Sequence, residues 1–63
     1  MKKISKAQAM ATSATFNGEP VLKEALNQVV LTKKPTEMCL TRTGGKIYAA
    51  KVGCVIHFWT MEY

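Results

Sequence analysis

Acidic residues are scarce in this 63-residue sequence. Four glutamates stand against nine lysines and arginines, which gives a formal net charge of +5 and an isoelectric point near 9.5. No two glutamates are spaced in a way that indicates acid–base catalysis, and we expect no enzyme. The excess of positive charge favours an anionic partner, either nucleic acid or an acidic protein surface. A positive charge that only confers solubility is the alternative.

Cysteine is also scarce. The two that occur, Cys39 and Cys54, are too few for a disulfide scaffold, and free thiols suit a reducing, cytoplasmic location. Together with His57 they offer fewer ligands than a structural zinc site needs, at spacings that match no zinc pattern, so we expect no metal. The Gly44-Gly45 pair is too short for a phosphate-binding loop, and we expect no cofactor.

Long apolar runs are missing as well. None approaches the roughly 20 residues that span a bilayer, and polar residues interrupt any apolar signal region after the first lysines. We therefore expect no membrane partner. A chain of this length buries only about 60% of its unfolded surface, so self-association as a homodimer could add to its stability.

The N-terminal half predicts two helices. Ser5 and Gln8 match a capping box, which predicts a helix over residues 5–16 with the following Asn-Gly pair as its stop. Pro20 suits the first turn of a second helix, which the apolar spacing predicts over residues 20–31.

The C-terminal half is rich in β-forming residues. Its turn signals, Gly44-Gly45 and Val52-Gly53, predict two-residue turns between three strands. The strands are expected at residues 37–43, 46–51 and 54–61. We therefore predict that the whole chain is a single α+β domain with two N-terminal helices packed on a three-stranded antiparallel β-meander.

The predicted register divides the meander residues between two faces, because side chains alternate along a strand. The face expected to pack on the helices carries Met38, Leu40, Ile47, Ala49, Cys54, Ile56 and Phe58. The other face carries Cys39, Thr41, Thr43, Lys46, Tyr48, Ala50, Val55, His57, Trp59 and Met61. This register pairs Tyr48 with His57 and Lys46 with Trp59. It places the two cysteines on opposite faces, which excludes a disulfide between them.

The second of these faces is the candidate binding site. Tyr48, His57 and Trp59 are predicted to stack on nucleic-acid bases, because bases stack on aromatic rings while cations contact phosphates. The predicted phosphate contacts are Lys46, Arg42, Lys33 and Lys34. The sequence therefore predicts a small non-enzymatic regulator that binds nucleic acid.

Two alternatives use the same residues. In one, the aromatic patch docks on a larger protein, as in an inhibitor or adaptor that could be an accessory protein of a virus or mobile element, or it is buried in a homodimer. In the other, the aromatic side chains stabilise the sheet without any ligand, by about 0.2 to 1 kcal/mol for each cross-strand pair.

Overall fold

The computed structural model describes residues 1–28 and 32–62. These residues contain six strands and two helices. The helices are α1 (Lys6–Thr12) and α2 (Val21–Gln28). The strands are β1 (Lys2–Ile4), β2 (Thr15–Phe16), β3 (Glu19–Pro20), β4 (Thr36–Leu40), β5 (Lys46–Val52) and β6 (Val55–Met61). A four-stranded antiparallel sheet has the order β1-β6-β5-β4, and β2 and β3 form a separate two-stranded sheet.

The predicted arrangement, two N-terminal helices on a three-stranded meander, is wrong. A strand precedes α1 and pairs with β6, and the β2–β3 hairpin separates the two helices. The strands β4, β5 and β6 do pair in chain order, but they form only part of the larger sheet. The strand β1 has only three residues. It could not be predicted from local sequence, because its pairing depends on residues at the other end of the chain.

The predicted capping box at the start of α1 is confirmed. The Ser5 hydroxyl accepts a hydrogen bond from the Gln8 backbone N–H at 3.1 Å, and the Gln8 side-chain oxygen accepts one from the Ser5 N–H at 3.0 Å. The helix ends at Thr12, earlier than predicted, because Ser13 adopts an extended conformation with φ −59° and ψ 143°.

The Asn-Gly pair that was expected to stop the first helix instead forms the turn of the β2–β3 hairpin. Asn17 and Gly18 both have positive φ, 55° and 80°, and type I′ hairpin turns require this at both central positions. The second helix was predicted to run to residue 31, and that end lies outside the described residues. Within the described residues, neither helix has the length and apolar character needed to cross a membrane.

The hydrophobic core lies between the helices and one face of the four-stranded sheet. Ala9 of α1 and Leu22 of α2 pack against Ile47, Ala49 and Phe58, and each of these five side chains is at most 2% exposed. Burying large apolar side chains such as Leu22 and Phe58 stabilises the fold by about 1.5 to 3 kcal/mol each. Alanines at two of the contact positions let the helices approach the sheet closely.

The β4–β5 register differs from the prediction. Thr41–Gly45 joins the strands, rather than a two-residue turn, and a bulge interrupts β4 just before Cys39. Leu40 pairs with Lys46 and Cys39 pairs with Ile47. The two residues have therefore exchanged faces relative to the prediction: Cys39 packs against the core, and Leu40 is 53% exposed on the opposite face.

The β5–β6 turn lies one residue later than predicted. Val52 pairs with Val55, so Gly53 and Cys54 form the two-residue turn. Gly53 has a φ of 64°, and glycine with positive φ at the first central position is typical of type II′ turns. Cys54 and Ile56, which were predicted to pack on the helices, are exposed at this end of the hairpin.

Candidate functional site

The candidate site is the face of the four-stranded sheet that points away from the helices, which we call the open face. Ile47 and Ala49 of β5 point into the core, so the alternate residues of β5 point the other way. Direct cross-strand partners share a face. The open face consequently carries Lys3, Glu37, Leu40, Lys46, Tyr48, Ala50, Val52, Val55, His57, Trp59 and Met61.

The three predicted stacking residues lie together on this face. Tyr48 and Trp59 are direct partners on β5 and β6, the two central strands of the sheet. The ring centroids of His57 and Trp59 are 6.1 Å apart, and the ring planes are tilted by 34°. All three side chains are partly exposed.

The individual pairs differ from those predicted. Tyr48 lies opposite Trp59 rather than His57, and Lys46 lies opposite Met61 rather than Trp59. His57 is instead the partner of Ala50, which is fully buried. The aromatic residues still share a face because moving a two-residue turn by one position changes the partners without changing the alternation of faces.

Four residues form a line across the sheet, which we call the central row. It runs from Glu37 on β4 through Tyr48 and Trp59 to Lys3 on β1, since each residue is the direct partner of the next. The row thus has a carboxylate at one edge of the sheet, an ammonium group at the other, and two aromatic rings between them.

The Glu37 carboxylate forms an ion pair with a lysine on the same face. Its Oε1 lies 3.0 Å from Nζ of Lys46, and the side chains of Lys46 and Glu37 are 35% and 50% exposed. An ion pair this accessible to solvent contributes only about 0 to 1 kcal/mol to stability. The pair draws the carboxylate along the open face towards Lys46, which lies two residues before Tyr48 on β5.

The other predicted phosphate-binding residues lie outside the sheet. Arg42 is in the β4–β5 connection, where its Nε donates to a backbone carbonyl at the end of α1 at 3.3 Å. Lys33 and Lys34 lie in the loop before β4, and this loop runs beside the end of β5 because the Lys51 N–H donates to the Thr32 carbonyl at 2.9 Å. None of these three cations belongs to the open face.

Sequence reasoning missed two charged members of the central row. Glu37 could have been found, because it lies two residues before Cys39, and residues two apart on a strand share a face. In the structure, the bulge in β4 and the longer connection after it both shift the register, and together they leave Glu37 on that face. Lys3 had no comparable signal, since the strand β1 was not predicted.

The two thiols lie in different environments. Burial raises the pKa of the Cys39 thiol, and a contact with the Ser13 hydroxyl, 3.5 Å from Sγ, opposes that rise. Cys54 is exposed in the β5–β6 turn. Cys39 lies on the helix side of the sheet and His57 on the open face, so they do not form a nucleophile and base pair. Residues 1–28 and 32–62 contain no group of three or more His, Cys, Asp or Glu side chains that could hold a metal ion.

The open face therefore offers flat aromatic surface with a lysine at one edge and an ion-paired carboxylate at the other. Its rings can stack on planar ligands, Lys3 can contact an anion, and Glu37 can accept hydrogen bonds. No protein-family model, curated protein or solved structure matches this chain.

Proposed function

We propose that this protein binds single-stranded nucleic acid through the open face and acts by binding rather than by catalysis. The observation that carries the proposal is the direct pairing of Tyr48 with Trp59 on the two central strands of a four-stranded sheet. RNA-binding sheets hold unpaired bases on aromatic side chains in this way. Such stacking contributes about 1 to 3 kcal/mol per base, whereas the bases of a duplex are already stacked on one another.

The positive charges support the same proposal. Lys3 lies beside Trp59 at the β1 edge, where it can contact the phosphate of a nucleotide whose base is stacked on the indole ring. Arg42, Lys33 and Lys34 lie outside the face and add to the positive charge of the domain. The net charge of +5 adds a long-range attraction for a polyanion.

The test is a titration with labelled oligonucleotides of one sequence, single-stranded and duplex, at low and high salt. Trp59 is the only tryptophan, so its emission reports directly on the open face. We expect the single strand to bind more tightly and to change the emission of Trp59. Its affinity should fall with salt, with a logarithmic slope of about 0.7 for each phosphate that the protein neutralises.

Two aromatic variants localise the binding. Trp59→Ala should weaken single-strand binding by about 1 to 3 kcal/mol. Phe16→Ala is the matched control, because Phe16 is a strongly exposed aromatic residue on β2, outside the four-stranded sheet. Equal losses in the two variants, or no binding by the wild-type protein at low salt, would contradict the proposal.

Two neighbouring lysines test the phosphate contact. Lys3 is paired with Trp59 and Lys2 with Thr60, so they lie on opposite faces of the sheet. We expect Lys3→Gln to reduce the salt slope by about 0.7, with a smaller change in Lys2→Gln, which removes the same net charge. If both variants reduced the slope equally, the lysines would act only through net charge and Lys3 would not contact a phosphate.

A second candidate function is binding to a protein, such as an acidic target. The observation in its favour is that Leu40, 53% exposed, lies on the open face opposite Lys46 and thus extends the aromatic surface with an aliphatic side chain. Apolar anchors of this kind contribute strongly to protein interfaces. Leu40→Asn should leave oligonucleotide binding unchanged if nucleic acid is the partner, because Leu40 is not in the central row.

A further inference from the structure

We infer that the open face prefers guanine, and that Glu37 is the residue that selects it. This inference rests on the proposed function and specifies which base the site takes. Glu37 is the direct cross-strand partner of Tyr48. Side chains in this relation have Cβ atoms about 4.5 to 5.5 Å apart, so the carboxylate can reach the edge of a base that is stacked on the Tyr48 ring.

The carboxylate is held in place on one side and can accept hydrogen bonds on the other. Lys46 Nζ contacts Oε1 at 3.0 Å, and the described part of the chain shows no hydrogen bond or ion pair to Oε2. An ionised carboxylate only accepts hydrogen bonds, and its two oxygens together have about four acceptor positions. The ion pair with Lys46 therefore leaves enough acceptor capacity for a ligand with two donors.

Guanine is the base that matches this acceptor. Its Watson–Crick edge has two adjacent donors, the N1–H and the exocyclic N2 amino group, which can bond to the two oxygens of one carboxylate. Adenine and cytosine each have one amino donor next to a ring-nitrogen acceptor, and uracil has one N–H between two carbonyls. For these three bases, at least one acceptor atom would face the carboxylate, which is unfavourable because neither group can donate.

The charges at the ends of the central row support this orientation. Lys3 attracts a phosphate at the β1 edge, whereas at the β4 edge the charge of Lys46 is balanced by Glu37. A strand bound across the row would therefore place its backbone towards β1 and a base edge towards β4. The carboxylate would lower affinity for any base that cannot donate to it, so Glu37 contributes specificity rather than overall affinity.

The test uses a short oligouridine with one central guanosine, the same oligonucleotide with inosine at that position, and the all-uridine oligonucleotide. Inosine keeps N1–H and lacks the N2 amino group. For the wild-type protein we expect the guanosine oligonucleotide to bind about tenfold more tightly than the all-uridine one, with inosine in between, since a bidentate contact to a base discriminates by about this factor or more.

The variant Glu37→Gln should bind all three oligonucleotides with similar affinity, because a Gln side chain has one acceptor oxygen and a donor nitrogen. Its affinity for the all-uridine oligonucleotide should equal or exceed that of the wild type, since a negative charge has been removed. Glu19→Gln is the matched control: Glu19 is another exposed, ion-paired glutamate, with Lys23, but it lies outside the four-stranded sheet. It should keep the full preference for guanosine.

The outcomes separate this inference from the proposed function. If Trp59→Ala weakens all three oligonucleotides while the wild type shows no preference, or if Glu37→Gln keeps the wild-type preference, the face binds nucleic acid and the inference about guanine is wrong. If the wild type binds none of them at low salt, the proposed function and this inference both fail.

Discussion

The two faces of the β5–β6 hairpin differ sharply although they are built from alternate residues of the same strands. The face towards the helices carries Ile47, Ala49 and Phe58, each at most 2% exposed. The open face carries Tyr48, Trp59 and charged side chains that remain partly exposed, although Ala50 on the same face is fully buried. The difference indicates that the covered face determines the stability of the domain, whereas the open face is available for binding.

The neighbouring residues Phe58 and Trp59 give the strongest test of this comparison, because they lie on opposite faces. Phe58→Ala should lower the free energy of unfolding by about 3 to 5 kcal/mol, since it leaves a cavity in the core. Such a loss is comparable to the whole stability of many domains of this size. Trp59→Ala should cost about 1 kcal/mol or less, the value of a cross-strand aromatic contact. Urea denaturation followed by circular dichroism measures both.

A milder core variant keeps this test usable if Phe58→Ala does not fold. Phe58→Leu retains much of the buried apolar volume and should still cost more than Trp59→Ala. If Trp59→Ala proved as destabilising as the core variants, the open face would be buried in solution, as it would be in a homodimer. Sedimentation over a range of protein concentrations would then identify the dimer.

A buried hydroxyl on the covered side gives the next largest effect. The Ser13 side chain accepts a hydrogen bond from the Leu22 backbone N–H at 3.2 Å, and it is fully buried. Ser13→Ala would leave that N–H without its acceptor, which should cost about 1 to 3 kcal/mol. Thr12→Ala, in which an exposed hydroxyl is removed from the adjacent residue, should cost less. Equal urea midpoints for the two variants would show that another group takes the place of the Ser13 oxygen.

The connection between β4 and β5 allows a comparison between adjacent glycines. A Cβ atom on Gly45 would lie 2.5 Å from the Met61 carbonyl and from a carboxylate oxygen of Glu62, whereas one on Gly44 would contact nothing within 4 Å. Gly45→Ala should therefore cost about 1 to 3 kcal/mol through steric overlap with the end of β6. The cost of Gly44→Ala should be about 1 kcal/mol, since its φ of 90° disfavours a side chain.

Thermal or urea denaturation of both glycine variants measures the difference. A larger loss for Gly44→Ala would mean that backbone conformation, rather than contact with β6, determines the geometry of this connection.

Elements of the fold that have a local sequence signal were predicted, whereas elements that depend on contacts between distant residues were not. The capping box of Ser5 and Gln8 lies within four residues and was read correctly. The Asn17-Gly18 pair is compatible with both a helix stop and a hairpin turn. Only the pairing of β2 with β3 shows that it forms a hairpin turn. The strand β1 and the length of the connection over residues 41–45 depend on partners far along the chain. For the connection, one such partner is Glu62, whose carboxylate accepts hydrogen bonds from the Thr41 and Thr43 hydroxyls.

The aromatic part of the open face was predictable for a physical reason. Side chains alternate along a strand, so moving a two-residue turn by one position changes each cross-strand partner by two residues and leaves every residue on its predicted face. The displaced β5–β6 turn was an error of this kind. Face assignment failed for Cys39 and Leu40 of β4, because the connection to β5 is longer than the predicted two-residue turn and moves their partners by an odd number of residues. Specific pairs such as Tyr48 with Trp59 required the structure, because each depends on the exact turn position.

The smallest predicted effect concerns the pH dependence of stability, and it again contrasts a buried with an exposed residue. Burial raises the pKa of the Cys39 thiol, so the folded protein retains this proton at a pH where the unfolded chain releases it. The corresponding stability is complete below the pKa of the unfolded thiol, about 8.5, and is lost as the pH rises from there through the folded pKa. The free energy of unfolding should therefore fall with increasing pH in this window by an amount that Cys39→Ala removes.

Urea denaturation at a series of pH values from neutral to alkaline measures this slope. Other ionisable groups contribute equally to the wild type and to Cys39→Ala, so the difference between the two curves isolates the thiol. Cys54→Ala is the matched control, because Cys54 is exposed in its turn, and its curve should run parallel to that of the wild type. Parallel curves for the wild type and Cys39→Ala would show instead that the Ser13 contact balances the effect of burial on Cys39, since the hydrogen bond favours the thiolate and burial disfavours it.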